Sequence, residues 1–199
     1  MYLRPAFAST DLDRIVPLIE ANAFGLLVTR IDAGMDASHI PFMVAREGDG
    51  LVLTGHLGRP NAQCAAFEGG TALAIFSGPH AYVSPGWYSA TPAVPTWDYV
   101  AVHVHGVLEP VDDAGDMADM LRALSVQDPA GFTVESLAPD YLAGMLRGIR
   151  GFRLRSTRIE AQWKLSQNRS VADREGVIAA LRGQGQHDIA QLIAATLPV

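Results

Sequence analysis

Between Tyr99 and Leu108 the side chains alternate without a break. One parity reads Val100, Val102, Val104, Gly106 and Leu108, and the other Tyr99, Ala101, His103, His105 and Val107. Successive strand side chains point to opposite faces, so this segment is a strand whose first face lies on an apolar core. Its second face carries two imidazoles and a phenol, and must meet solvent, a ligand or a second subunit. A chain organised around such a strand needs sheet neighbours on both sides, which 199 residues readily supply. With 49% apolar and 18% charged residues, the composition is that of one ordinary globular domain over 1–199, ending in a helical segment at 171–199, and it excludes disordered and collagen-like classes. No apolar run approaches the roughly 18 residues that a membrane span requires. The start, Met1 to Asp11, lacks the apolar stretch of a secretory signal. With Cys64 as the one cysteine, unable to form an internal disulfide, a cytoplasmic protein with a buried thiol is expected.

The rest of the chain reads as strands first and helices later. Leu12, Ile15, Val16 and Ile19 recur at helical spacing behind a Thr10/Asp13 capping pair, and Pro17 should bend or shorten that helix. Residues 24–31 read as a strand followed by a turn at 32–38. Residues 39–46 and 51–56 flank Glu47-Gly48-Asp49-Gly50 and read as a hairpin, with Pro41 marking an edge or irregular start. A short helix at about 60–68 precedes strands at 71–77 and 81–84. Residues 85–96 form a proline-bearing loop. Helices at 113–125 and 139–148, a strand at 151–162, and helices at 172–181 and 188–197 complete the pattern. Six or seven short strands with helices between and after them predict a small antiparallel barrel.

The formal charge of −6 argues against a whole-molecule nucleic-acid footprint. The charge is unevenly spread: residues 147–174 hold 8 basic side chains against Glu160 and Asp173 alone. That stretch is either a solvated strand and loop or an anion site.

Four constellations carry chemistry. His103 and His105 share one strand face, and Glu109 stands at a cupin-like offset, but the upstream glycine and the downstream motif of a cupin are missing. Two histidines lining an interface or pocket are the better reading than a metal site. The segment from Thr54 to Ala62 ends a strand in a glycine-containing turn at a helix start, where free N–H groups and Arg59 suit a phosphate. It also reads as a plain strand-to-helix connection. From Glu160 to Ser170, one aromatic ring, two cations, three amides and two hydroxyls crowd together, a density suited to a heteroaromatic ligand or to a core tryptophan followed by a polar loop. Gly78 to Tyr88, with Pro95, Thr96 and Trp97, adds exposed-loop aromatics. No nucleophile elbow, Walker loop, dinucleotide fingerprint or zinc-finger spacing is present.

At these motifs the chain resembles the PaiB-like family of FMN-binding negative transcriptional regulators. The resemblance rests on Met1-Tyr2, His39-Ile40-Pro41, Gly55-His56-Leu57, Gly78-Pro79-His80-Ala81-Tyr82, Val83-Ser84-Pro85, Trp87-Tyr88, Val94-Pro95-Thr96-Trp97, Ala101-Val102-His103 and the run from Trp163 to Arg169. It implies a mainly β fold with added helices, an antiparallel Greek-key FMN-binding split β-barrel related to pyridoxamine phosphate oxidases and flavin reductases. It also implies a homodimer with FMN in the groove between subunits.

The resemblance places His39, Pro41 and Phe42 near the flavin ring, and Gly55, His56, Arg59 and Asn61 near its phosphate. Trp163, Lys164, Gln167 and Arg169 fall around the ring or ribityl chain. Oxidase relatives put adjacent cations in the phosphate turn, whereas here Arg59 is followed by Pro60 and Asn61. The implied function is an FMN-binding regulator acting through flavin or partner binding. A flavin-dependent oxidoreductase or a haem-binding split barrel, using His39, His56, His80, His103 or His105, is the alternative. Direct DNA contact is disfavoured, because residues 188–195, the helix that would enter a groove, carry an aspartate and neither arginine nor lysine.

Overall fold

The structure is a computed structural model that describes residues 1–126 and 128–198. In chain order the strands are β1 (Ala8–Ser9), β2 (Phe24–Ile31), β3 (Gly34–Pro41), β4 (Met43–Glu47), β5 (Gly50–Gly58), β6 (Thr71–Val83), β7 (Thr96–Val111) and β8 (Ile149–Lys164). The helices are α1 (Leu12–Ala21), α2 (Ala114–Ser125), α3 (Pro139–Arg147), α4 (Val171–Gly183) and α5 (His187–Ala194), with short 3-10 turns at Ala62–Phe67, Pro85–Trp87 and Val134–Ser136. Among the described residues the strands form one sheet in the order β3-β2-β6-β7-β8-β5-β4, with β1 pairing separately on β8. The pairs whose register is resolved are antiparallel.

Three expectations change. The turn after β2 is not 32–38 but two residues, Asp32 and Ala33, because Gly34 takes a φ of 127° that lets β3 start at once and pair Gly34 with Ile31. The predicted hairpin strand 39–46 is two strands. Pro41 has no N–H to donate and ends β3. The Phe42 ring is buried against Phe76 at 5.2 Å and Phe152 at 6.0 Å, and β4 then pairs with β5 instead of β2. Thr71–Val83 is likewise one strand, not two. Pro17 sits inside α1 without ending it.

The chain divides into two compact units, one of Met1–Ile15, Ser77–Val102 and Glu160–Val199, the other of Val16–Phe76 and His103–Ile159. In the second unit the fully buried Leu27, Leu53, Phe67, Phe76, Phe152 and Leu154 form the core, with the Phe67 and Phe152 rings 5.0 Å apart. Gly106 is required there: a Cβ on it would stand 2.2 Å from the Arg155 carbonyl oxygen. In the first unit β1 pairs Ala8 with Gln162 and Ser9 with Ala161. The core there takes Phe7, Val83, Val100, Leu165 and the inner faces of α4 and α5, including Val177, Leu181, Ile189 and Ile193. Asp173 is buried at the start of α4, where its carboxylate accepts from the Ser89 N–H and hydroxyl, both at 2.8 Å, and from the Ala90 N–H at 3.1 Å.

The basic stretch of β8 is largely neutralised within its own unit. Arg150 bonds Asp112 at 3.1 Å and also Glu68. Arg153 meets Asp116 at 2.9 Å, and Arg155 meets Glu109 at 2.8 Å and also Glu47. Glu109 is therefore engaged by an arginine and not presented at the cupin offset. Exposed pairs of this kind fix strand neighbours more than they stabilise.

Candidate functional site

In the second unit, the turn after β5 is built from a strand whose parities do different work. Gly55 faces the core, and a Cβ there would lie 3.0 Å from the Phe152 ring and 3.3 Å from Ile40. This glycine lets an aromatic ring pack against the backbone. His56 points to the other face, half-buried, and its Nδ1 is shielded from solvent with no hydrogen-bond partner among the described residues. Burial lowers its pKa from the ordinary 6.5, so the imidazole is neutral near pH 7 with an unsatisfied ring nitrogen.

Beyond Gly58, the Arg59 N–H donates to the Gly148 carbonyl at 3.0 Å, and its Nε donates to the Arg147 carbonyl at 3.0 Å. These bonds hold the arginine while its terminal nitrogens remain half-exposed, the nearest carboxylate being Asp112 at 3.9 Å. Asn61 caps the following 3-10 turn through the Gln63 N–H at 2.9 Å, and its Nδ2 donates to Ser38 Oγ at 3.0 Å. Ser38 precedes His39, so this bond ties the turn to β3. His39 itself is exposed and stacks on Phe24 with ring centroids 6.0 Å apart and planes 23° apart. Phe24 is 69% exposed. Pro41 is half-buried beside it, whereas Phe42 belongs to the core.

Gln63, which the sequence reading passed over, joins this scaffold. Fully buried, it donates to the Leu27 carbonyl at 3.1 Å, Thr29 Oγ1 at 2.9 Å and the Asp36 carbonyl at 3.2 Å, and bonds Ser38 at 2.5 Å. The signal for it was a lone amide in the apolar run Ala62 to Phe67.

In the first unit the predicted residues fall together around the end of β8. Trp163 is only 4% exposed, its backbone N–H donates to the Phe7 carbonyl at 2.8 Å, and the Arg14 guanidinium lies 4.6 Å from its ring centroid. Lys164 Nζ donates to Thr96 Oγ1 at 2.7 Å and to the Trp97 carbonyl, and lies 3.3 Å from Asp98 Oδ1. Asp98 is fully buried and accepts from Ser166 Oγ at 2.6 Å. Burial pushes its pKa up, opposed by the Ser166 hydrogen bond and the Lys164 charge. Ser166 holds a left-handed φ of 58°, a conformation that the Asp98 bond helps to fix.

Gln167 closes the turn on itself, accepting from the Leu165 N–H at 2.7 Å and donating to the Trp163 carbonyl at 2.5 Å. Arg169 lies 4.3 Å above the Tyr88 ring. Asp98 and Ser166 were missed by sequence reasoning, because a carboxylate entering an apolar strand gives no sign of which hydroxyl will meet it. The exposed aromatics here are Trp97 (55%) and Tyr82 (46%). Their rings are 6.1 Å apart in an edge arrangement, with His80 6.2 Å from Trp97.

The chemistry of the turn fits a flavin phosphate: an arginine held by its Nε with a half-exposed guanidinium whose ion-pair partner, Asp112, stands 3.9 Å away, and a neutral imidazole lacking a partner at Nδ1. No helix among the described residues is long and apolar enough to cross a membrane.

Comparison with known proteins agrees with this chemistry. Residues 1–158 match the family model described as "Putative FMN-binding domain". "Protease synthase and sporulation protein PAI 2" of Bacillus subtilis is 34% identical over 196 residues, covering 96% of this chain and 94% of that protein. Among solved structures, the flavocytochrome Anf3 of Azotobacter vinelandii superposes with a TM-score of 0.65 at 16% identity, covering 81% of this chain and 72% of that one. An FAD- and heme-binding protein of Mycobacterium smegmatis gives 0.60 at 16%, covering 79% and 73%. At these identities the two structures speak to the fold alone, a flavin-type split barrel. A family match over most of the chain and a relative spanning nearly all of it place this protein in the FMN-binding domain family.

Proposed function

We propose that this protein is an FMN-binding homodimer that regulates transcription indirectly, through the state of its flavin or through a protein partner. The observation that carries the reading is the turn after β5, which offers an unpartnered His56 Nδ1 and the terminal nitrogens of Arg59 within a family defined by FMN binding. In this reading Arg59 and His56 hold the phosphate, while Asn61 and Gly55 shape the turn that presents them. His39 and Pro41 border the ring, and Phe42 sets the course of β3 from inside the core. Lys164, Gln167 and Arg169 keep the segment after Trp163 in one conformation. Bound FMN supplies reversible hydride and electron chemistry; the protein residues orient it and exclude water from one side.

Indirect regulation follows from α5. Its residues from His187 to Ala194 include Asp188 and no arginine or lysine, which leaves nothing to neutralise phosphates or read guanine edges.

The test is the visible absorption spectrum of the purified protein before and after adding FMN and dialysing away the excess. A retained flavin spectrum is expected. Arg59→Ala should weaken FMN about tenfold or more, the worth of a charge-assisted hydrogen bond of about 1.5–3 kcal/mol. A protein left colourless by this treatment overturns the cofactor assignment, and a salt-sensitive complex of the pure protein with duplex DNA overturns indirect regulation.

A further inference from the structure

We infer that Asp112, held in place by Arg150, is a built-in competitor for Arg59. It restrains the grip of that arginine on the flavin phosphate, and so sets how far the site prefers FMN to riboflavin, the same flavin without its phosphate. Asp112 has this role only if the turn after β5 is the phosphate site, as proposed above.

A guanidinium grips an oxyanion best through two parallel N–H donors, either Nε with a terminal nitrogen or the two terminal nitrogens together. In Arg59 the Nε is committed to the Arg147 carbonyl at 3.0 Å, which leaves the terminal pair. One of that pair, Nη2, stands 3.9 Å from Asp112 Oδ1. That is too long for a hydrogen bond and short enough for charge attraction, so the carboxylate lies beside a donor that a phosphate must use.

Asp112 is fastened where it stands. It follows Val111, the last residue of β7, and Arg150 takes it in a two-point grip, Nε to Oδ1 at 3.2 Å and Nη2 to Oδ2 at 3.1 Å. Arg150 is fixed in turn. Its Nη1 donates to the Cys64 carbonyl at 3.0 Å, its Nη2 also meets Glu68, and its backbone pairs with Leu57, two residues before Arg59. The Arg150 hydrogen bond holds the Asp112 carboxyl below the ordinary 3.8, so the group is ionised near neutral pH. A phosphate monoester, close to doubly charged there, meets a fixed negative charge beside its arginine. Because Arg59 and Asp112 are both half-exposed, water screens this repulsion and keeps it moderate. Riboflavin carries no phosphate and does not feel it.

The experiment titrates the full chain with FMN and with riboflavin, following the quenching of flavin fluorescence. It compares wild type with Asp112→Asn, Asp112→Ser, Glu68→Gln, Arg59→Ala and the double variant Asp112→Asn/Arg59→Ala. Circular dichroism establishes that each is folded, and Asp112→Ser keeps an acceptor for Arg150 should Asp112→Asn fold poorly. Removing the carboxylate should tighten FMN about threefold or more and leave riboflavin nearly unchanged. Glu68→Gln takes a negative charge from the same arginine but leaves Asp112 in place, and should bind FMN as wild type does. With Arg59 already replaced by alanine, the gain from Asp112→Asn should vanish, a coupling that a merely structural role does not produce. The inference fails if neither Asp112 variant binds FMN more tightly than wild type, if riboflavin tightens as much as FMN, or if Glu68→Gln reproduces the gain. FMN binding that is absent throughout, or indifferent to Arg59→Ala, overturns the phosphate-site reading and the role of Asp112 with it.

Discussion

At His56 a single imidazole is set between two demands. Its strand position buries Nδ1, and burial lowers its pKa below 6.5. The unfolded chain then binds a proton that the folded chain refuses, so stability is full above the unfolded value and is lost as pH falls below it. We predict that thermal stability declines from neutral pH to about pH 5, and that His56→Asn, which cannot titrate, flattens the decline. Equal losses in both proteins would refute the assignment. The histidine itself was visible in the sequence, by its place in Gly55-His56-Leu57 before a glycine turn. Its missing partner was not, since that depends on which neighbouring strands leave a donor or acceptor within reach. Trp163 shows the converse: its motif marks it for a ring-stacking role, yet packing buries the indole with the Arg14 guanidinium over its face.

Elements were legible where one physical signal dominated. The parity of Val100, Val102, Val104 and Leu108 set β7, and all four are buried. The apolar run of β2 gave Phe24–Ile31 without correction. The segment from Gly34 to Glu47 was misread because its partners are on different strands: β3 pairs back on β2 and β4 forward on β5. Local propensity cannot report that division, although Pro41 marked its position. Gly106 sits at such an element contact, where β7 approaches the β8 backbone so closely that no Cβ fits. Gly106→Ala should destabilise the protein by about 1–3 kcal/mol, the usual cost of overpacking, or more if the strands cannot part. Chemical denaturation would measure it, and a variant as stable as wild type would mean that the two strands separate freely at this point.

For the molecule as a whole, acid is the condition that should discriminate most. Asp173 fastens the start of α4 to Ser89 and Ala90. The Ser89 hydroxyl, followed by the Ala90 N–H, holds its pKa at about 2 instead of 3.8. Its contribution is therefore present above the ordinary carboxylate range and lost as pH falls through about 2. Asp173→Asn should lower stability at neutral pH and shrink the acid-dependent loss below about pH 4, as followed by circular dichroism. An unchanged acid transition would assign that loss to other carboxylates. The overall architecture was legible because many weak signals agreed: strand alternation, glycine turns and family motifs spread along the chain. The arrangement of the first unit was not, since it gathers residues from both ends and the middle of the sequence.

That arrangement also sets an order of events during synthesis. Ala8 and Ser9 leave the ribosome early, but their β-sheet partners, Gln162 and Ala161, appear only when most of the chain has been made. The second unit draws on one continuous span from Val16 to Phe76 and on His103–Ile159, so its strands can meet while translation continues. The first unit must wait for the last forty residues. Until they emerge, the nascent protein carries an unpaired N-terminal segment with Phe7 and Ile15 still uncovered. A chain stalled before Glu160 would expose them to chaperones and proteases.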